Sequence, residues 1–194
     1  LSLVDVLSNV KSTEVAVVES LLLREEYANQ PTNIVVMDGH QGKRFALDVI
    51  AGARGVDTFT IGANTYAIVA AFNDNGIQIL DVSVPSDIYA NGYLVDIPSL
   101  TLAGASDVDT FTIDGNTYAI VAAFDDNGVQ IIDISNPASP SPAGKLIDSG
   151  FTTALAGASG VDTFTIDGNT YAIVASVLDN GVQIINISNP AFPS

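Results

Sequence analysis

One stretch of this chain, Leu102 to Asp148, is written almost three times over. It occurs nearly whole from Ile50 to Asp96 and again from Leu155 to Ser194, where it stops short. Val56, Val108 and Val161 are equivalent, as are Tyr66, Tyr118 and Tyr171, so the period is 52 and then 53 residues. A period of this size means one supersecondary unit stacked on copies of itself.

The content of one unit follows from its local chemistry. Val108 to Ile113 is β-branched and aromatic and predicts a strand. Asp114-Gly115 tolerates the positive φ angles of a tight hairpin turn. Asn116 to Phe124 is a second strand, with Tyr118, Ile120, Ala122 and Phe124 on one face and Ala119, Val121 and Ala123 on the other. Both faces are apolar, so this strand is expected to be covered on both sides. After the turn Asp125 to Gly128, Val129 to Ile134 is a third strand. The stretch Asn136 to Pro142 is expected to be a connection, because its three prolines cannot donate to a ladder. Ala143 to Ile147 is a fourth strand. Four antiparallel strands per repeat is the content of one propeller blade.

Val129-Gln130-Ile131-Ile132-Asp133-Ile134-Ser135-Asn136-Pro137 resembles the core of the LVIVD repeat, with equivalents at Ile77 to Pro85 and Val182 to Pro190. The resemblance covers residues 50–194. It implies a β-propeller and, since that family is mostly secreted or on the cell surface, an extracellular or cell-surface location. It implies no single activity, because fold does not fix function. The period here is longer than the family's usual repeat, and three copies are fewer than the minimum of about four blades in a closed propeller.

Charge narrows the partners. The chain carries 6 Lys plus Arg against 22 Asp plus Glu, a net of −16. All four glutamates (Glu14, Glu19, Glu25 and Glu26) precede residue 27, whereas from Gly55 onward there are fifteen Asp, no Glu and one cation, Lys145. Nothing in that region can neutralise phosphates or anionic lipid, which excludes nucleic acid and an anionic membrane surface as partners. No apolar run approaches the length of a membrane span. Cysteine is absent, so thiolate metal sites are excluded. The chain begins with Leu1 rather than Met and is expected to be a processed form or a fragment.

The organisation expected is an N-terminal segment 1–31, then a β-repeat domain 32–194 made of a partial repeat 32–49 and repeats 50–101, 102–154 and 155–194. In the first segment, Ser12 or Thr13 caps a helix running to Asn29, with Glu14 where the dipole favours it. That segment is helical or irregular, and serves as a leader packed on the repeats or as an assembly element. Ile34 to Asp38 matches the third strand and Gly42 to Asp48 the fourth, so an N-terminal strand could complete the last repeat. Three repeats leave three routes to a finished fold: a piece of a longer propeller, two chains sharing a six-bladed ring, or closure alone as a β-trefoil.

Candidate site residues follow the repeat. His40 is the only histidine and sits in a Gly-His-Gln-Gly turn, with nothing around it like a nucleophile elbow. Asp57, Asp109 and Asp162 recur in the first strand, where a ring of carboxylates could hold Ca²⁺, which takes about six to eight oxygen ligands. The alternative is that each binds backbone of a neighbouring blade. Asp74, Asp126 and Asp179, each near an Asn-Gly turn, are the second choice for Ca²⁺, although tight turns select these residues anyway. Asp81 and Asp133 become Asn186 in the last repeat, which points to a structural role.

The sequence therefore predicts an all-β repeat protein, propeller-like, with β-trefoil as the alternative. It is expected to be a non-enzymatic structural or adhesive module acting through self-assembly, as a homo-oligomer or filament, or by binding a protein or glycan. The alternatives are a propeller-type hydrolase whose channel cation is held by Asp57, Asp109 and Asp162, and a trefoil-like carbohydrate-binding module.

Overall fold

The computed structural model describes residues 49–150 and 153–194, all of it strand, turn and connection. The expected helix within 1–31, the partial repeat at 32–48 and His40 lie outside the described residues. Each repeat folds into its own antiparallel sheet. The first blade is β1 (Ala53–Ile61), β2 (Asn64–Ala71), β3 (Gly76–Asp81) and β4 (Tyr89–Val95). The second is β5 (Ala105–Ile113), β6 (Asn116–Ala123), β7 (Gly128–Asp133) and β8 (Ser141–Ile147). The third is β9 (Ala158–Ile166), β10 (Asn169–Ser176) and β11 (Gly181–Asn186). Strand order follows chain order within every blade.

The turns explain the order. Asp114 and Gly115 both take positive φ (50° and 80°), as do Asp167 and Gly168 (50° and 79°), which twists a two-residue hairpin in the same hand as its strands. The first repeat has Gly62-Ala63 at this place, with positive φ at Gly62 only (63°). Across each hairpin an aromatic pair stacks, Phe111 on Tyr118 in the second blade with centroids 5.6 Å apart. Phe59 with Tyr66 and Phe164 with Tyr171 repeat the contact.

Blades pack face to face, and the doubly apolar second strand explains why. On β6, Ala119 and Val121 join a buried cluster with Ile68, Ala70, Ile77 and Ile79 of the first blade. Ile120 and Ala122, on the other side of the same strand, join Val129 and Ile131 against Leu155, Ala172, Val174 and Ile185 of the third. Full burial of one such side chain is worth about 1.5–3 kcal/mol. The first strands β1, β5 and β9 lie side by side from blade to blade. This is propeller-like architecture, and it overturns the β-trefoil alternative: each repeat makes its own separate sheet, of four, four and three strands, rather than a share of a common barrel. A trefoil-like sugar-binding module falls with that scaffold.

Two boundaries differ from expectation. Pro142 lies inside β8, paired with Ile132 beside a register shift, because an outer strand tolerates a residue that cannot donate. The connection is therefore shorter than Asn136 to Pro142. The first strand begins earlier than Val108, at Ala105, beyond an irregularity between Ala105 and Asp107.

Candidate functional site

The repeated aspartates of the first strands lie at the contacts between blades. Asp57 on β1 accepts the backbone N–H of Thr110 on β5 (2.9 Å) and the Thr110 hydroxyl (2.5 Å) through Oδ2, while its Oδ1 accepts Thr58 N–H (2.7 Å). Asp109 takes one step further round, with Oδ2 accepting the Thr163 N–H of β9 (2.7 Å). Among the described residues, Asp162 accepts only from its own neighbour, the N–H of Thr163 (2.9 Å). Asp57 and Asp109 are thus links in a chain of blade-to-blade contacts, and Asp162 bonds within its own blade. Among the described residues, no three acidic or imidazole side chains converge in a way that could hold a metal ion. The reading in which each Asp binds a neighbouring blade's backbone describes Asp57 and Asp109.

Burial raises the carboxyl of Asp109 above its ordinary range. Hydrogen bonds from Thr163 oppose that shift and the charge of Asp57 adds to it. A second acidic residue, Asp107, accepts Val161 N–H of the third blade (3.0 Å). Its counterpart in the first blade is Gly55, where a Cβ would fall 2.5 Å from the Cα of Asp107, so glycine is what allows β1 to approach β5.

The turn aspartates do equivalent work inside each blade. Asp74, Asp126 and Asp179 accept the N–H groups of Ala51, Ala103 and Ala156 at 2.7, 2.9 and 2.8 Å. One carboxylate oxygen on each is already committed to fixing the entry to the first strand. Asp81 accepts Ser83 N–H and the Tyr89 hydroxyl (both 2.9 Å), and Asp133 and Asn186 accept the N–H of Ser135 and Ser188. An amide oxygen serves as well as a carboxylate there, which explains why the last repeat can carry Asn186. The Asp81 carboxyl is held below its ordinary value, chiefly by hydrogen bonds from Ser83, with burial opposing and Tyr89 assisting.

Two recurrent residues carry roles that the sequence did not suggest. Asn75 and Asn127, in the turn after the second strand, accept the N–H of Gly104 and Gly157 in the next blade, each at 2.8 Å. Gln130 sits almost fully buried on β7, accepts Thr101 N–H (3.1 Å) and donates to the carbonyls of Ile131 and Gly144 (3.0 and 2.8 Å). Gln78 repeats this with Val49, Ile79 and Gly92. Their signal was an unvarying Gln inside an apolar third strand, which only a buried polar anchor explains.

The outer strands lock onto the next blade. A Cβ on Gly92 would lie 2.3 Å from the carbonyl of Pro137, and one on Gly144 would lie 2.3 Å from that of Pro190. The Asn-Pro loops of the second and third blades are therefore seats for the fourth strand of the blade before. Taken together, this constellation positions sheets against sheets.

A model of the LVIVD repeat matches residues 64–93, 105–147 and 164–194, more than half of the chain. No curated protein matches the sequence. Among solved structures, the fold is similar to a functionally unknown protein from Desulfotomaculum acetoxidans (TM-score 0.54, 16% identity), over 74% of this chain and 40% of that one. It is also similar to an exo-β-1,3-galactanase from Phanerochaete chrysosporium (TM-score 0.51, 12% identity), over 74% of this chain and 36% of that one. The chain thus spans well under half the length of either. At these identities the likeness concerns fold alone. The matched segments fall on the three sheets described above, and the chain belongs to the LVIVD repeat family.

Proposed function

We propose that this chain is a non-enzymatic structural repeat module of the extracellular space or cell surface, working through association of its blade faces. One observation carries the reading. Val182 and Ile184 on β11 are 61% and 53% exposed, whereas their counterparts Val129 and Ile131 on β7 are fully buried. Neighbouring exposed apolar side chains on the edge strand of a sheet are an association surface. The carboxylates of Asp57, Asp109, Asp74 and Asp126 accept from backbone N–H groups, which supports a scaffold role. Light scattering on the eluting chain tests the reading. Self-association above the 20.1 kDa chain mass supports it, and a monomer that also fails to retain on a glycan or protein array removes it.

A propeller-type hydrolase using Asp57, Asp109 and Asp162 is the second reading. It is favoured by the raised proton affinity of Asp109 and by the fold shared with a galactanase. Hydrolysis of a galactan that is abolished in Asp109→Asn, with the fold retained, would establish it. Equal rates in the two proteins would end it.

A further inference from the structure

The two ends of the blade stack are the two halves of one interface. Within the chain, every blade offers the next one two acceptors. Asp57 reaches Thr110, and Asp109 reaches Thr163. Asn75 reaches Gly104 N–H, and Asn127 reaches Gly157 N–H. On the third blade the corresponding acceptors are Asp162 and Asn180. Asp162 bonds only its own neighbour, and Asn180 has no side-chain partner among the described residues. On the first blade the corresponding donors are Thr58 and Gly52. The N–H of Thr58 turns back to its own Asp57, and that of Gly52 meets no asparagine side chain among the described residues.

The apolar surfaces divide in the same way. Val182 and Ile184 stand open on the third blade, at the positions where Val129 and Ile131 are covered. On the opposite side of the stack, Val56 is 64% exposed, whereas its counterpart Val108 is 4% exposed against the first blade. Ala53 is exposed, whereas Ala105 and Ala158 are fully buried. Each end therefore lacks what the other presents, in chemistry and in register.

We propose that a second copy of this chain docks its first blade on the third blade of the first, reproducing the internal blade-to-blade contact between molecules. The inference rests on the structural-module reading and names its partner and geometry. Asp162 of one copy accepts from Thr58 of the other, Asn180 from Gly52, and Val182 with Ile184 pack where Ala53 and Val56 are bare. Such a head-to-tail contact closes into a ring or runs on as a filament. Two copies supply six blades, within the range of about four to eight known for closed propellers.

Cysteine pairs test this cleanly, because the chain has none of its own. Asp162→Cys and Thr58→Cys are made as separate proteins and mixed under oxidising conditions. A single chain carrying Asp109→Cys and Thr163→Cys is the internal control for the same geometry. The expected result is a covalent species of twice the 20.1 kDa chain mass in the mixture. Neither single variant alone should give it. An independent variant, Val182→Asp, alters a side chain already exposed, so it should keep its fold by circular dichroism and lose association by light scattering. Association that survives Val182→Asp, or an internal control that closes while the mixture does not, would overturn the head-to-tail contact. If the chain still self-associates in that case, the structural-module reading stands without it. A monomer throughout would remove the head-to-tail contact, and a monomer that also fails to retain on a glycan or protein array would remove the structural-module reading as well.

Discussion

The second and third blades differ little in sequence and much in environment. Ile131 and Ile184 occupy the same place on the third strand, yet one is fully buried and the other 53% exposed. Gln130 is clasped between Thr101 and Gly144, whereas Gln183 keeps the link to Ala154 N–H (2.9 Å) and reaches no fourth-strand carbonyl among the described residues. Ser194 makes only the first rung of such a strand, against Asn186. Burial in this fold is thus conferred by the neighbour and not by the repeat. That is the behaviour of a quasi-linear array, in which stability is a sum of units and of contacts between them.

The comparison can be broken most forcefully at its centre. Ile131→Ala should cost about 2–5 kcal/mol, the range for deleting a buried aliphatic group. Ile184→Ala should stay within about 0.5 kcal/mol, as surface changes do. Urea denaturation of the pair, at concentrations where the chain is monomeric, checks this. Equal losses would mean that the third blade's face is covered in solution.

Glycine gives the next largest contrast. A Cβ at Gly128 would lie 2.6 Å from the carbonyl oxygen of Leu146, and at Gly181 nothing lies closer than 3.8 Å. Gly128→Ala should therefore destabilise by about 1–3 kcal/mol, as overpacking does. Gly181→Ala should be neutral or slightly stabilising, since it narrows the unfolded ensemble. Thermal melts of both variants decide it.

The glutamines sharpen the same contrast. Gln130→Ala takes the side-chain partner from the Thr101 N–H and from the Ile131 and Gly144 carbonyls, and a buried group left unsatisfied costs about 1–3 kcal/mol. Gln183→Ala should cost clearly less, because its surroundings are already wet. A ratio near one would sink the idea that the fourth strand matters to this anchor.

The smallest effects concern pH. Asp109 binds its proton more tightly in the folded chain than an ordinary aspartate, whose pKa is 3.8. The folded state therefore holds more protons, and stability from this group falls as pH rises from 3.8 through the folded value. Asp109→Asn should flatten that part of the stability profile. Asp81 has the opposite sign: its contribution is present above 3.8 and is lost as pH falls through its lower folded value. Asp81→Asn, which copies Asn186 of the third blade, should remove that acid-side loss together with the neutral-pH contribution it comes from. Denaturation midpoints across the acid range read both.

Much of the fold was legible because the repeat constrains itself. The Asp114-Gly115 turn, the stacked faces of β6 and the apolar third strand all follow from short-range patterns. The candidate carboxylates were found for the same reason. Their partners were harder to see, since a pattern that recurs at 52 or 53 residues does not say whether Asp57 bonds its own blade or the next. Asn75 was hidden by its own suitability for a turn with positive φ (53°), which accounts for the residue without any cross-blade bond. Pro142 misled because a proline rule that holds for central strands relaxes at an outer one.

The step from Asp57 to Thr110, repeated from Asp109 to Thr163, has a bearing on how such a chain can grow. Acceptor and donor lie next to each other in every copy, so a duplicated repeat arrives already able to grip the copy before it and the copy after it. Lengthening the array by one whole repeat requires no new contact to be invented, whereas inserting part of one would leave an aspartate facing the wrong strand. The heritable unit of this architecture is therefore the full repeat, with its join already written in.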